Sequence, residues 1–263
     1  MREIIYILQE CFLGKSVLNF GEKLTHFITT VIPVFNDAES LKTAIPKSIE
    51  ILEQFGREFE IIIAEDESTD GSREIALEWE KKDSRVHLLH SDKREGRGRA
   101  LNRALSIAKG DIFCYYDVDL ATDINHLPEL LSRIEDGADV STGSRLMKNS
   151  NIKRSGDREI ASRGYNFLVR HLLGSKLCDH QCGFKAYKTE VLKELVKEIQ
   201  APHWFWDTES LVLAESKGFR VDEFPVHWTQ GAGTTVKFKD IKEMGTDILK
   251  MRRRLKCGKK SPQ

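Results

Sequence analysis

Asp117 and Asp119 stand one residue apart at the end of the apolar run Ile112-Phe113-Cys114-Tyr115-Tyr116. Such a run reads as a buried strand, so the strand ends by delivering two carboxylates to the edge of a sheet. Carboxylates drawn toward an apolar interior are costly unless they are paired or bound to a cation. A hard cation such as Mg²⁺ or Mn²⁺ takes one or two protein carboxylates and completes its shell with phosphate oxygens. The chemistry that suits the pair is therefore the holding of a metal against a diphosphate. The competing account is a solvated, Asp-rich turn, and the pair alone does not separate the two.

The surrounding elements give the pair its context. Strands expected at 27–35, 59–64, 86–89 and 112–116 alternate with helical patterns. The first helix has Leu41, Ile45, Ile49 and Leu52 on one face, the second Ile75 and Trp79, and the third Ala100, Leu101, Ala104, Leu105 and Ala108 before Gly110. This alternation predicts an α/β domain with a largely parallel central sheet flanked by helices. Ligands of such sheets bind beyond the carboxyl ends of the strands. Asn36-Asp37, Glu65-Asp66 and Asp117-Val118-Asp119 follow three of those ends, which places them along one edge. Ser68, Thr69 and Asp70 read as helix caps, and Asp66 is better placed for a ligand.

The second half is less regular. A strand is expected at 139–142, leading into Gly143-Ser144-Arg145, with a helix at 157–173, a strand at 182–187, a helix at 189–199 and a strand at 220–228. Trp204-Phe205-Trp206-Asp207 opens a further helix, and Asp207 reads equally as its N-cap. No repeat or linker divides the chain, so one domain is expected over 27–235. An N-terminal helical extension (1–26) has Ile4, Ile5, Leu8 and Phe12 on one face. A C-terminal amphipathic basic helix and tail (236–263) has the stripe Ile241, Met244, Ile248, Met251 and Leu255. That stripe either packs on the domain or, with the basic cluster at 252–256, lies on anionic lipid.

Composition narrows the classes. The 263 residues are 40% hydrophobic, enough for a packed core, and Lys+Arg balance Asp+Glu at 41 each. A charge-driven association with nucleic acid is not supported. Five cysteines, an odd number without a disulfide-like pattern, suit reduced thiols in a cytoplasmic setting. Cys178, His180 and Cys182 alternate as half a zinc site would, but no second ligand pair has suitable spacing. The N-terminal apolar run is too short to span a membrane and lacks signal-peptide features.

The same residues carry a family resemblance. Val31-Ile32-Pro33-Val34-Phe35-Asn36-Asp37, Glu65-Asp66-Glu67-Ser68-Thr69-Asp70-Gly71-Ser72, Gly96-Arg97-Gly98-Arg99-Ala100-Leu101, Asp117-Val118-Asp119, Gly143-Ser144-Arg145, Asp179-His180-Gln181-Cys182-Gly183-Phe184-Lys185, Trp206-Asp207-Thr208-Glu209 and Pro225-Val226-His227-Trp228 occur in that order. Together they resemble a family 2 glycosyltransferase of GT-A fold. Within that family they are most similar to polyprenyl-phosphate glycosyltransferases, dolichyl-phosphate glucosyltransferases above all. Asp37 stands where Glu is frequent, Glu65 where Asp is usual, and Thr234-Thr235 where Ser-Lys is frequent. The hydrophobic anchor of eukaryotic members is not seen, so the expected attachment is peripheral, at the cytoplasmic face of a membrane.

The resemblance implies inverting transfer of a hexose from a nucleotide-diphosphate sugar to a polyprenyl phosphate, with UDP-glucose the favoured donor and mannose the second choice of sugar. It implies that Pro33, Phe35 and Asp37 shape the nucleoside pocket, that Asp66 contacts the base, and that Arg97 joins the nucleotide-sugar site. Asp117 and Asp119 would hold Mg²⁺ or Mn²⁺, with Asp119 the more direct ligand. The donor carries about two negative charges, an ionised phosphomonoester approaches two more, and the two aspartates add to them. Arginines should therefore converge on the acceptor. Arg145, Arg158 and Arg163 are the candidates, and the resemblance points to the first two. The alternative is elongation of a glycan on a sugar hydroxyl, with Asp207 as general base.

Overall fold

The computed structural model describes residues 26–153, 156–229 and 238–258. β1 (Ile28–Val34) and β2 (Phe59–Asp66) are buried almost residue by residue, as interior strands of a parallel sheet must be when helices cover both faces. β3 (Val86–Ser91) and β4 (Ile112–Tyr116) complete the first half, with α1 (Ala38–Phe55), α2 (Ser72–Lys82) and α3 (Arg97–Ile107) between them. These elements lie where the apolar periodicity expects them.

The large sheet has the order β3-β2-β1-β4-β7-β5-β8, where β5 is Val140–Ser144, β7 is Phe184–Lys188 and β8 is Val221–Pro225. β7 runs antiparallel between β4 and β5, and every other pairing is parallel. Strand order reverses between β1 and β4, which makes the gap between them the ligand crevice of an open sheet. The sequence widens that gap. The β1–β2 ladder continues to Val34, but the β1–β4 ladder stops at Val31, short of Pro33, which lacks the amide to extend it.

α4 (Leu127–Glu135), α5 (Gly156–Leu173), α6 (Thr189–Leu195), α7 (Phe205–Lys217) and α8 (Phe238–Gly258) complete the helices. The core lies on both faces of the sheet. One side joins α1 and α4 through Leu41, Ile45, Leu127 and Leu131, and the other joins α3, α7 and α8 through Leu101, Leu105, Trp206 and Met251.

Two expectations need correction. The strand expected at 220–228 is two strands. β8 ends at Pro225, and β9 (His227–Thr229) pairs with β6 (Asn151–Lys153) in a small second sheet. Val226 joins the two sheets, its amide donating to Ser144 O at 3.1 Å and its carbonyl accepting from Asn151 N at 3.2 Å. β6 is too short to show an alternating pattern. The expected strand at 182–187 begins only at Phe184, because Cys182 and Gly183 are held in the site described below.

The expected C-terminal stripe faces the protein. Met244, Ile248 and Met251 are buried, and the helix packs against α5 and α7. The side chain of Ile241 and the N-terminal extension lie outside the described residues. Among the described residues, no helix is long and apolar enough to cross a membrane.

Candidate active site

Three non-glycine residues among those described have positive φ: Asn36 (51°), Glu67 (51°) and Leu120 (49°). Each lies just beyond the carboxyl end of β1, β2 or β4, where left-handed backbone turns the chain sharply at some cost in strain. The first two turns are laced together. Asn36 N donates to Ser68 Oγ at 2.9 Å, Thr69 N to Asn36 Oδ1 at 2.8 Å, and Ala38 N to Asp70 Oδ2 at 2.8 Å. Burial alone would raise the Asp70 pKa, but hydrogen bonds from Ser72 and Ala38 prevail and hold it below the usual carboxylate value. Asp37 caps α1, accepting from Ser40 N at 3.4 Å. Pro33 and Phe35, both half-buried, line the exit of β1.

Asp66 is buried and pins the start of α3. It accepts from Glu95 N at 3.1 Å, Gly96 N at 3.0 Å and Arg103 Nη2 at 2.6 Å. A carboxylate has about four acceptor positions, so one remains for a ligand. Glu65, whose longer side chain stands where Asp is usual, accepts from His90 and from Ser68 N at 2.5 Å.

At the end of β4, Asp117 is half-buried and Asp119 is exposed. Asp119 Oδ1 accepts from Ala121 N at 3.0 Å. Its pKa is raised, first by partial burial and then by the charges of Asp117 and Asp37. Asp37 is thus within electrostatic reach of the pair. Arg97 reaches in from the first turn of α3, pairing with Asp117 and placing Nε 3.5 Å from Asp207 Oδ2. Its guanidinium lies 5.3 Å from the centre of the Tyr115 ring and 5.7 Å from that of Trp204. Burial opposes its charge, but Asp117 and Asp207 hold the pKa above its ordinary value. Arg97 Nε and Nη2 are buried without a hydrogen-bond partner, and orphan donors of this kind call for an acceptor. Gly183 closes on this group. A Cβ there would collide with Arg97 Nη2 and the Asp117 carboxylate, so a larger residue would push both side chains aside.

The donor set suits a hard cation. It is all oxygen, it has an open side at Asp119, and Arg97 pairs with Asp117 alone. No cluster of three or more His, Cys, Asp or Glu with metal-binding geometry exists among the described residues. Asp117 and Asp119 could hold such a cation, with phosphate or water completing its shell.

Asp207 lies behind Arg97, in the first turn of α7 and not at its cap, because the helix begins at Phe205. It is 3% exposed. Its Oδ1 accepts from Tyr115 Oη at 2.6 Å and from Lys185 Nζ at 2.9 Å. Lys185 is fully buried and also donates to Cys182 O. Desolvation would raise the Asp207 pKa, but Lys185 and Arg97 prevail and lower it. Glu209, one half-turn further along the helix, faces away. It accepts from Gln200 N at 3.1 Å, Ala201 N at 2.8 Å and Arg254, so it ties α8 to the domain.

Arg145, at the carboxyl end of β5, forms a two-pronged ion pair with buried Asp179. Nε donates at 2.7 Å and Nη2 at 3.0 Å, and the Arg145 amide adds a third bond at 3.0 Å. Burial opposes ionisation of Asp179, but Arg145 prevails and holds its pKa far below the usual range. Asp117 is among the charges that Arg145 feels, so the two lie in one site. Arg163 does not converge there. It is exposed and pairs with Glu159 one turn back at 2.7 Å. Arg158 falls in the first turn of α5, and its side chain lies outside the described residues.

Sequence reasoning missed Tyr115, Asp179, Gly183 and Lys185 as members of the site. Lys185 left the clearest signal, a lysine inside the otherwise apolar strand Phe184-Lys185-Ala186-Tyr187, where a charge is almost never buried unless paired. Cys178, His180 and Cys182 do not form one strand face. His180 bonds Asn166 Oδ1 at 2.7 Å and Ser175 Oγ at 2.6 Å, and burial lowers its pKa to about 4.

The sequence model of Glycosyl transferase family 2 matches residues 29–196. Glycosyltransferase AglD of Haloferax volcanii is 45% identical over 227 residues, which are 85% of this chain and 36% of that protein. The chain thus spans about a third of that relative's length. The dolichyl-phosphate beta-glucosyltransferase of Homo sapiens is 27% identical over 260 residues, covering 93% of this chain and 80% of that one. Among solved structures, glucosyl-3-phosphoglycerate synthase from Mycobacterium tuberculosis, in complex with Mn²⁺, UDP and phosphoglyceric acid, superposes with a TM-score of 0.66 at 18% identity. The match covers 92% of this chain and 81% of that one, a likeness of fold.

Proposed function

This chain belongs to glycosyl transferase family 2, and we propose that it transfers glucose, with inversion, from UDP-glucose to a polyprenyl phosphate. The observation that carries the choice of acceptor is the state of Asp207. A hydroxyl acceptor needs a base to take its proton. Asp207 is buried, bonded to Tyr115 and Lys185, and of lowered pKa, which makes it a weak and enclosed base. An ionised phosphate needs none. One of its oxygens forms the bond to the anomeric carbon as the bond to the diphosphate breaks. The nucleoside diphosphate leaves, and no proton is removed from the acceptor.

Asp117 and Asp119 are the residues that would hold Mg²⁺ or Mn²⁺, which when bound stabilises charge on the leaving diphosphate as a Lewis acid. Arg97 offers its unpartnered Nη2 to the donor, while its Nε faces Asp207, which Lys185 holds in place. Phe35, Pro33 and Asp37 flank the nucleoside, and Asp66 offers the base its remaining acceptor position. Arg145 faces the acceptor phosphate with the guanidinium edge that Asp179 does not engage, and the family resemblance names Arg158 as its second arginine. The names of the relatives support a lipid phosphate acceptor, and the fold of a UDP-binding neighbour supports a uridine donor.

The test supplies UDP-glucose and Mn²⁺ with either a short-chain polyprenyl phosphate or a glucoside acceptor. The expected result is glucose on the phosphate, of inverted anomeric configuration by NMR, and none on the glucoside. Transfer to the glucoside alone would overturn the proposal.

A further inference from the structure

Five large apolar side chains are markedly exposed among the described residues, and three of them, Ile160 (73%), Phe167 (57%) and Leu168 (45%), lie on α5. Their positions follow helical spacing: 160, 164, 167, 168 and 171 form one stripe. The opposite face of α5 is firmly seated, with Asn166 and Val169 buried and Tyr165 Oη bonded to Thr208 Oγ1 at 2.7 Å. The helix is therefore apolar on two sides, and one of them is uncovered. Cations border the uncovered side, with exposed Arg170 and the Glu159-paired Arg163 on α5. α8 packs beside α5 and exposes Leu249 (51%), Lys250, Arg253 and Lys256. α5 is also tied to the loop that holds Arg145, since His180, the neighbour of Asp179, donates from its amide to Asn166 Oδ1 at 2.8 Å.

We propose that this face of α5, and not the C-terminal stripe, docks the protein on an anionic bilayer. Apolar side chains ringed by lysine and arginine are the pattern of an interfacial helix, whose apolar face enters the headgroup boundary while its cations meet lipid phosphate. The inference rests on the reading of the acceptor as a polyprenyl phosphate. A bilayer under α5 would deliver the phosphate toward Arg145 while the hydrocarbon chain stays in lipid.

The test compares the full chain with the double variant Phe167→Glu, Leu168→Glu in two assays. In co-sedimentation with phosphatidylglycerol/phosphatidylcholine vesicles, the unsubstituted chain should bind and the double variant bind at least tenfold more weakly. In transfer to a water-soluble short-chain polyprenyl phosphate, the two should turn over alike, which also shows that the variant folds. Should the double variant lose turnover, Ile160→Glu carries the same comparison. Vesicle binding that survives these changes would overturn the docking proposal, including the case in which the face seats a second copy or the chain's own N-terminal segment. Failure of the unsubstituted chain to use the soluble acceptor would instead overturn the proposed function.

Discussion

Asp119 and Asp207 are both carboxylates at the mouth of the sheet, yet their surroundings push them in opposite directions. Asp119 is raised by burial and by its neighbours Asp117 and Asp37. Its ionised form is therefore disfavoured in the folded, metal-free protein, and the associated stability falls as pH rises through the unfolded and then the folded pKa. Asp119→Asn should raise the melting temperature of the metal-free protein at pH 7, remove the further rise on adding Mn²⁺, and lower turnover by about a hundredfold or more. A metal-induced rise that persists would contradict the assignment. Asp207 is lowered, because Lys185 and Arg97 outweigh burial, and removing its charge strands both cations. Asp207→Asn should destabilise the fold by about 3–5 kcal/mol, the usual cost of breaking a buried pair, as read by urea unfolding. Its remaining turnover on a phosphate acceptor should keep the pH profile of the unsubstituted enzyme, since Asp207 takes no proton.

At the scale of elements, the site exists because strand ends, one helix start and one loop meet at the switch between β1 and β4. The loop is the most constrained part. Gly183 lies against Arg97 and Asp117, and Asp179, four residues earlier, holds Arg145. Gly183→Ala should displace the guanidinium and raise the KM for the nucleotide sugar about tenfold or more, with little change in melting temperature. The Asp179 pair makes a separate prediction. Its folded pKa is depressed, so its stability is fully present above the unfolded value of about 3.9 and is lost as pH falls below it. The unsubstituted protein should lose urea resistance steeply below about pH 4, and Asp179→Asn should flatten that limb while lowering stability at pH 7. The strands carrying Asp66 and Asp117 were legible because an apolar run that ends in acid has few alternatives. The ion pairs were not. Arg97 and Asp117 lie 20 residues apart and Lys185 and Asp207 lie 22 apart, and nothing in local spacing says which opposite charges will be buried together. The short strand β6 and the break at Val226 escaped for a related reason, since both are set by contacts between sheets.

For the whole molecule, the C-terminal helix shows how a periodic pattern can be right about structure and open about its use. The stripe at Met244, Ile248 and Met251 predicted a helix with an apolar face, and that face closes the core beside α7, held by Arg254 on Glu209. Three of the five large apolar side chains left uncovered among the described residues are on α5, whose two-sided character is hard to see in a sequence that reads as an ordinary buried helix. Domain and site together predict a linked response to ligands. UDP with Mn²⁺ at a hundred times its dissociation constant should stabilise the protein by about 2.7 kcal/mol, and UDP alone by less, because the two aspartates then face the diphosphate without a cation. The central claim is that the acceptor is its own nucleophile. It is tested most directly by the pH dependence of glucose transfer to a short-chain polyprenyl phosphate compared with the matching polyprenol. Transfer should occur to the phosphate alone, rising with pH to a plateau above the acceptor's second pKa of about 6. Equal transfer to the polyprenol would contradict it.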